Sequence, residues 1–300
     1  MTIVTTTIPT DLSTELAECG WRYETIVLAD GTTTEVMVPL TEEEFLHPQE
    51  DYRLPNSTFH DQASLDAKDI TARRYADRSD VGVFHDLLIE WDIPDLKVHS
   101  PDVCVAFGIR NKEQNRTKFI VSNEGVRPAF VLEVVSPRYR KADREIKVLH
   151  YATARVQEYV IVDRRPYREQ MIDEVLGYRL TPLGTYQPIS PDDDGRIYCQ
   201  TLDLWISLQD GRLVIQDGQT GERLLRSDEL ETLTVQERLR AEQAEHQAEQ
   251  ERLRAEQAEH QAEQERLRAE QAEYQAEQER LRSQRLADLL RAQGIDPDQY

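Results

Sequence analysis

Through the first 225 positions apolar and polar residues change over in short runs; from 226 to 293 the chain has neither core-forming runs nor breakers. Residues 22–40 hold two strand-like runs around Asp30 and Gly31, a pair that suits a tight hairpin turn because both tolerate positive φ. Thr41, with Glu44 three positions on, predicts a capping box opening a short helix. The mixture over 58–76, with Ala63, Ala67, Ile70 and Ala72, predicts a second helix. Strands are expected at 81–91, 102–109 and 128–135, then a helix from about Arg138 to Thr153 and a strand at 158–163. Shorter strands follow at 176–180 and around 187–215, parted by Pro- and Gly-bearing turns. Helices framed by β runs predict an α/β fold, a mixed sheet core flanked by helices.

The end of the chain is repetitive. Residues 237–250 read ERLRAEQAEHQAEQ, 251–264 repeat them unchanged, and 265–278 differ only in Tyr274. Nearly every residue type here is a good helix former, and no Gly or Pro interrupts 222–293. One stripe runs through Leu239, His246, Leu253, His260, Leu267, Tyr274 and Leu281, and a second is made of alanines. A strict period of seven favours left-handed supercoiling between paired helices, although the seams are poorer than Ile/Leu seams. Both a weak coiled coil, hence a homo-oligomer, and a solvated single helix fit. Four parts follow: 1–20, an N-terminal segment expected to be mobile; 21–225, the folded domain; 226–293, the charged heptad helix; 294–300, a tail.

Composition narrows the function. With 36 Lys+Arg against 57 Asp+Glu, the formal charge of −21 argues against indiscriminate sticking to nucleic acid. Between positions 110 and 147, however, ten basic residues face five acidic ones. From this local patch Arg110, Lys112, Arg116, Lys118, Arg138, Arg140 and Lys141 are candidates to contact a phosphate backbone. Cys19, Cys104 and Cys199 are scattered, which excludes a disulfide framework or a cysteine zinc site. No apolar run reaches the ~20 residues of a membrane span, no signal-peptide pattern opens the chain, and a cytoplasmic location is expected. No GxxxxGK, GxGxxG, GxSxG or HExxH occurs, so no phosphate loop, serine-hydrolase elbow or zincin helix is indicated.

Three residues carry candidate chemistry. Asp102 follows Pro101 at the head of a strand, on the face opposite Val103, Val105 and Phe107, which is taken as the core side. Glu133 is the one charge in PAFVLEVV, costly to bury without a partner. If the strands are neighbours, the two carboxylates converge, and a hard cation such as Mg²⁺ or Mn²⁺ relieves their repulsion and can activate water on a phosphodiester. Lys147 supplies the cation: Asp143, Lys147 and Tyr151 lie four apart on one helical stripe, with Ala142, Ile146 and Leu149 taken as the buried stripe. Singly each has a plainer role: a turn aspartate, an ion-pair partner of Arg127 or Arg138, a surface lysine paired with Asp143. His60, His85, His99 and His150 read as isolated surface or satisfied core histidines, though His60 could also lie near the site.

The strings SPDVCVAFGI and VLEVVSP, then Asp143, Lys147, Tyr151 and EYVIVD, resemble the Uma-two family of restriction endonucleases, within the PD-(D/E)XK nuclease superfamily. The resemblance spans roughly residues 20–225. It implies a restriction-endonuclease-like core and a Mg²⁺-dependent DNA endonuclease, with catalytic Asp102, Glu133 and Lys147, metal on Asp102 and Glu133, and Asp143 and Tyr151 in support. Val135 stands where the superfamily's lysine would be, so Lys147 on the helix would replace it. The alternative is a catalytically degenerate nuclease fold acting as a scaffold through its C-terminal helix. The superfamily's first-helix acid could be Asp61, Asp66 or Asp69.

Overall fold

The computed structural model describes residues 10–294. Of the expected N-terminal segment, 1–9 lie outside the described residues, as do 295–300 of the tail. Thr10–Cys19 is a helix (α1) with Leu16 and Cys19 buried. The hairpin forms from β1 (Trp21–Val27) and β2 (Thr33–Pro39), paired antiparallel, and Thr41 and Glu44 close their capping box on α2 (Glu42–Leu46). The long helix α3 (Thr58–Arg74) is capped by Ser57, whose side chain accepts from the His60 amide.

The expected strand 81–91 is two. β3 (Val81–His85) stops at Asp86, whose φ of 50° breaks the extended run, and β4 (Leu88–Glu90) joins a different sheet, parallel to β6 (Lys118–Ile120). Between them in sequence lies β5 (Val103–Phe107). A short helix α4 (Val121–Glu124) leads to β7 (Pro128–Val134). The connection to the next strand is irregular: a 3₁₀ turn at Pro137–Tyr139, a π turn over Ala142–Ile146, then α5 (Lys147–Thr153). It ends in β8 (Glu158–Tyr167), which is followed by β9 (Gln170–Leu180), β10 (Tyr186–Ile189), β11 (Ile197–Cys199), β12 (Leu204–Gln209), β13 (Arg212–Asp217) and β14 (Arg223–Leu224).

Six strands form the central sheet in the order β10-β9-β8-β7-β5-β3, and four form a second in the order β11-β12-β13-β14. Within the central sheet β7 and β8 are parallel and the other pairs antiparallel. The fold is thus mixed α/β, as expected. Strands buried on both faces read as continuous apolar runs, and both faces of β5 and β7 are covered here. Val103, Val105, Phe130 and Leu132 pack with Ala63, Ala67 and Ile70 of α3 and with Leu204, Ile206 and Ile215 of the second sheet. Cys104, Ala106 and Val131 pack on the opposite side with Ile89, Trp91, Phe119 and Tyr151. The face of Asp102, expected to point away from the core, is therefore itself a core face.

From Glu231 onward the chain forms a separate unit. It belongs to one helix, α6 (Ser227–Ala292), of 66 residues with no buried side chain, which at 1.5 Å per residue is about 100 Å long. Among the described residues no helix is long and apolar enough to cross a membrane.

Candidate active site

The β5–β7 register pairs Val103 with Leu132, so the next step brings Asp102 beside Glu133 on one face. Both are buried, Glu133 to 3% exposure. The Val134 amide donates to Asp102 Oδ2 at 2.6 Å, and His60 Nε2 from α3 lies 3.3 Å from Asp102 Oδ1. Glu133 Oε1 accepts from the Tyr151 hydroxyl at 2.6 Å and lies 3.0 Å from Lys147 Nζ. The same ammonium is 2.9 Å from Asp143 Oδ1 and 5.0 Å above the Phe45 ring. Asp143 Oδ1, off the angle of a hydrogen bond, has no other partner, while its Oδ2 accepts from the Ser136 amide.

Of the stripe expected inside, Ala142 is buried and Ile146 packs beside it, but Leu149 is not, and the polar stripe takes its place. Asp143, Lys147 and Tyr151 are buried, whereas Leu149 is 69% exposed. Apolar residues ordinarily take the inward stripe, but here the sheet offers Glu133, and a polar stripe that satisfies a buried carboxylate outcompetes Leu149 for the inside. A π turn, a feature common at functional sites, carries Asp143 into this position.

Three carboxylates share two cationic partners, Lys147 beside Glu133 and Asp143 and His60 beside Asp102, in a dry setting, and their proton affinities reflect it. Burial pushes Glu133 up to about 8, Lys147 opposing and Asp102 and Asp143 reinforcing. Asp143 is raised by the same burial against the pull of Lys147. Burial would also raise Asp102, yet His60 and the Val134 amide hold it below its ordinary value. Lys147 is raised despite burial, because Asp143 and Glu133 face it, so it stays an ammonium. His60, although desolvated, rises to about 9 beside Asp102.

Asp102, Glu133, Asp143, Lys147 and His60 line one cavity of about 420 Å³, together with Asp86. Among the described residues no three His, Cys, Asp or Glu side chains group as a ready metal cage. Mg²⁺ does not need one: it keeps several waters and commonly uses one or two carboxylates. The donor set, hard oxygens with negative charge in excess, fits such an ion. Of the first-helix acids, none lines the cavity: Asp61 accepts from Asn56, Asp66 faces Arg226, and Asp69 holds Lys68 and Ser227. The α3 residue at the site is His60. Asp86, exposed but lining the cavity, had no sequence signal, because only the break after β3 places it there.

The basic patch is largely neutralised. Arg116 is buried against Glu124, Lys118 faces Glu50, Arg140 binds Asp163, and Lys112 donates to the Ala76 carbonyl. Arg127, offered above as a partner for Glu133, binds Asp92 instead. Arg138, Lys141 and Arg110 make no ion pair among the described residues, and Arg138 borders a second cavity, about 520 Å³, that shares Pro55, Asn56 and His60 with the first.

Behind Tyr151 the histidines are not isolated. Trp91 Nε1–H donates to His99 Nδ1 at 2.9 Å; the proton of neutral His99 therefore sits on Nε2, 2.9 Å from His150 Nδ1, and His47 stacks on His150. Burial foremost, then the neighbouring histidines, lowers both His99 and His150. A folded pKa below the unfolded value means that folding excludes protons, so this stability is present above about 6.5 and is lost as pH falls. Between pH 7 and pH 5 the raised groups Glu133 and His60 gain stability while the histidine network loses it, so the test is the difference: the wild-type urea midpoint is expected to fall relative to that of His150→Asn over this range, and a constant difference would contradict the neutral network.

No curated protein matches the chain. Part of the chain is similar to a crystal structure from Anabaena variabilis described as "a putative nuclease belonging to DUF820", at 14% identity and a TM-score of 0.38, covering 55% of this chain and 86% of that one. Residues 54–210, just over half the chain and including Asp102, Glu133 and Lys147, match the model of the family described as "Uma2: Putative restriction endonuclease". The chain belongs to the Uma2 family of restriction-endonuclease-like proteins.

Proposed function

We propose that this chain is a cytoplasmic endonuclease that hydrolyses DNA phosphodiester bonds with a divalent metal ion, Mg²⁺ or Mn²⁺. The observation that carries the proposal is the pair of carboxylates, Asp102 and Glu133, lining one cavity beside the Lys147 ammonium, within the segment that matches a nuclease family. Asp102 and Glu133 would hold the ion, which supplies charge neutralisation for the phosphoryl oxygens and a more acidic water. The chain's own part is positioning. Lys147, permanently charged, cannot take a proton from water; it orients the attacking water and faces the negative charge that grows on phosphorus. Tyr151 and Asp143 fix Glu133 and Lys147 in turn. The P–O bond to the leaving sugar breaks as the bond to water oxygen forms, and a proton from that water ends on the leaving oxygen or in bulk solvent. Val135 at the superfamily's lysine position is compatible with this arrangement, because the ammonium comes from α5 instead.

The purified chain should nick plasmid in Mg²⁺ or Mn²⁺ and stop on chelation. Failure to cut duplex or single-stranded DNA with any of several divalent ions would overturn the reading.

Of the basic residues, we assign phosphate contacts to Arg138 and Lys141, which make no ion pair among the described residues; Arg138 borders the adjoining cavity and Lys141 stands two positions before Asp143 in the chain. Replacing both with alanine should reduce the slope of log affinity against log salt by about 2, near one unit for each phosphate no longer held. Lys118→Ala should leave it unchanged. An unaltered slope in the double variant would remove these residues from the interface. Self-association through α6 completes the proposal.

A further inference from the structure

We propose that α6 pairs with a second copy of this chain as a parallel, in-register, two-stranded coiled coil. The inference deepens the self-association just put forward by fixing its seam and its orientation. Leu239, Leu253, Leu267 and Leu281 are about half exposed, on a helix that has no buried side chain among the described residues. Placed at heptad position d, they recur every fourteen residues, alternating with His246, His260 and Tyr274, while glutamine fills position a from Gln243 to Gln278. The rival alanine seam would put Glu251, Glu265 and Glu279 at its d positions, and burying unpaired carboxylates is costly. The leucine seam wins on that comparison.

Charge then selects the orientation. In this register every g position, from Glu242 at intervals of seven to Glu277, is glutamate, and every e position, from Arg240 to Arg282, is arginine or glutamine. A parallel pair sets each g residue against the e residue five positions on in its partner. That matches Glu249 with Arg254, Glu263 with Arg268, and Glu277 with Arg282, and it nowhere opposes like charges. An antiparallel pair sets g against g, glutamate on glutamate throughout. The ion pairs within the helix leave the same residues unspent: Arg238, Arg252 and Arg266 take Glu242, Glu256 and Glu270, the g residues that would otherwise meet glutamine. Glu249, Glu263 and Glu277 have no ion pair among the described residues and stay open to the partner's arginines. Because 237–250 and 251–264 are identical, a slip of fourteen residues keeps the same kinds of pairing but shortens the overlap, so the in-register pair has the most of them.

Sedimentation velocity of the full-length chain at tens of micromolar should give twice the mass of one chain, whether or not the chain cleaves DNA. Glu249→Arg, Glu263→Arg and Glu277→Arg together should weaken the dimer at least tenfold, about 1.4 kcal/mol or more. Under mild oxidation the His246→Cys variant should form a disulfide-linked dimer, and Ala248→Cys, on the outer face, should not. The native Cys19, Cys104 and Cys199 are buried and stay silent. A monomeric wild-type chain overturns the proposal. So does a dimer that the charge changes leave intact, or one in which His246→Cys yields no cross-link.

Discussion

Glu133→Gln or Asp102→Asn is expected to lower DNA cleavage by at least a thousandfold, about 4 kcal/mol of transition-state stabilisation, while leaving the fold standing. Each change keeps the shape and an acceptor oxygen. The glutamine carbonyl can still accept from Tyr151 and face Lys147, and the asparagine carbonyl can still take the Val134 amide, contacts now made by the carboxylates. What disappears is the negative charge that would hold a divalent ion. The paired readout is cleavage rate against thermal melting: activity lost with Tm near wild type is the expected pattern. Variants that cut as fast as wild type would mean that these acids do something else.

Lys147→Met should be the most destabilising single change in the site, by roughly 3–5 kcal/mol, the usual cost of removing one partner of a buried ion pair. The methionine fits the volume but leaves Glu133 and Asp143 facing each other without a cation. The penalty should depend on pH in a defined direction. Folded Glu133 titrates at about 8, above its unfolded range near 4.5, and Asp143 is likewise raised. Groups with raised folded pKa values favour folding at low pH and oppose it as pH rises through the folded value. In metal-free buffer, then, the variant should be weaker at pH 8 than at pH 5. Adding Glu133→Gln to Lys147→Met should restore part of the loss, because the two sites share one interaction. Equal loss at both pH values, with no recovery in the double variant, would show that Lys147 is not held by these charges.

Much of the site is legible in the chain because burial makes charge conspicuous. Glu133 stands out as the one charge in a run otherwise fit for a covered strand, and the spacing of Asp143, Lys147 and Tyr151 announces a single stripe. What misleads is the rule that the apolar stripe faces inward: Leu149 yields to Lys147, because the acceptor that rewards Lys147 lies on another strand. Asp86 reaches the cavity through the break after β3, and the His47–His99 and His99–His150 contacts depend on segments about fifty residues apart closing on each other, which no local period reports. The basic patch shows what a charge count omits. Counting between 110 and 147 includes Glu124 without showing that it holds Arg116, and it does not reach Asp163, to which the fold commits Arg140.

A crystal soaked in Mn²⁺ and read by anomalous scattering tests the site most directly. The expected map has one peak within coordinating distance of both Asp102 and Glu133, absent from crystals of Glu133→Gln. A peak bound elsewhere, or none at millimolar Mn²⁺, would contradict the pairing of these two acids on one ion.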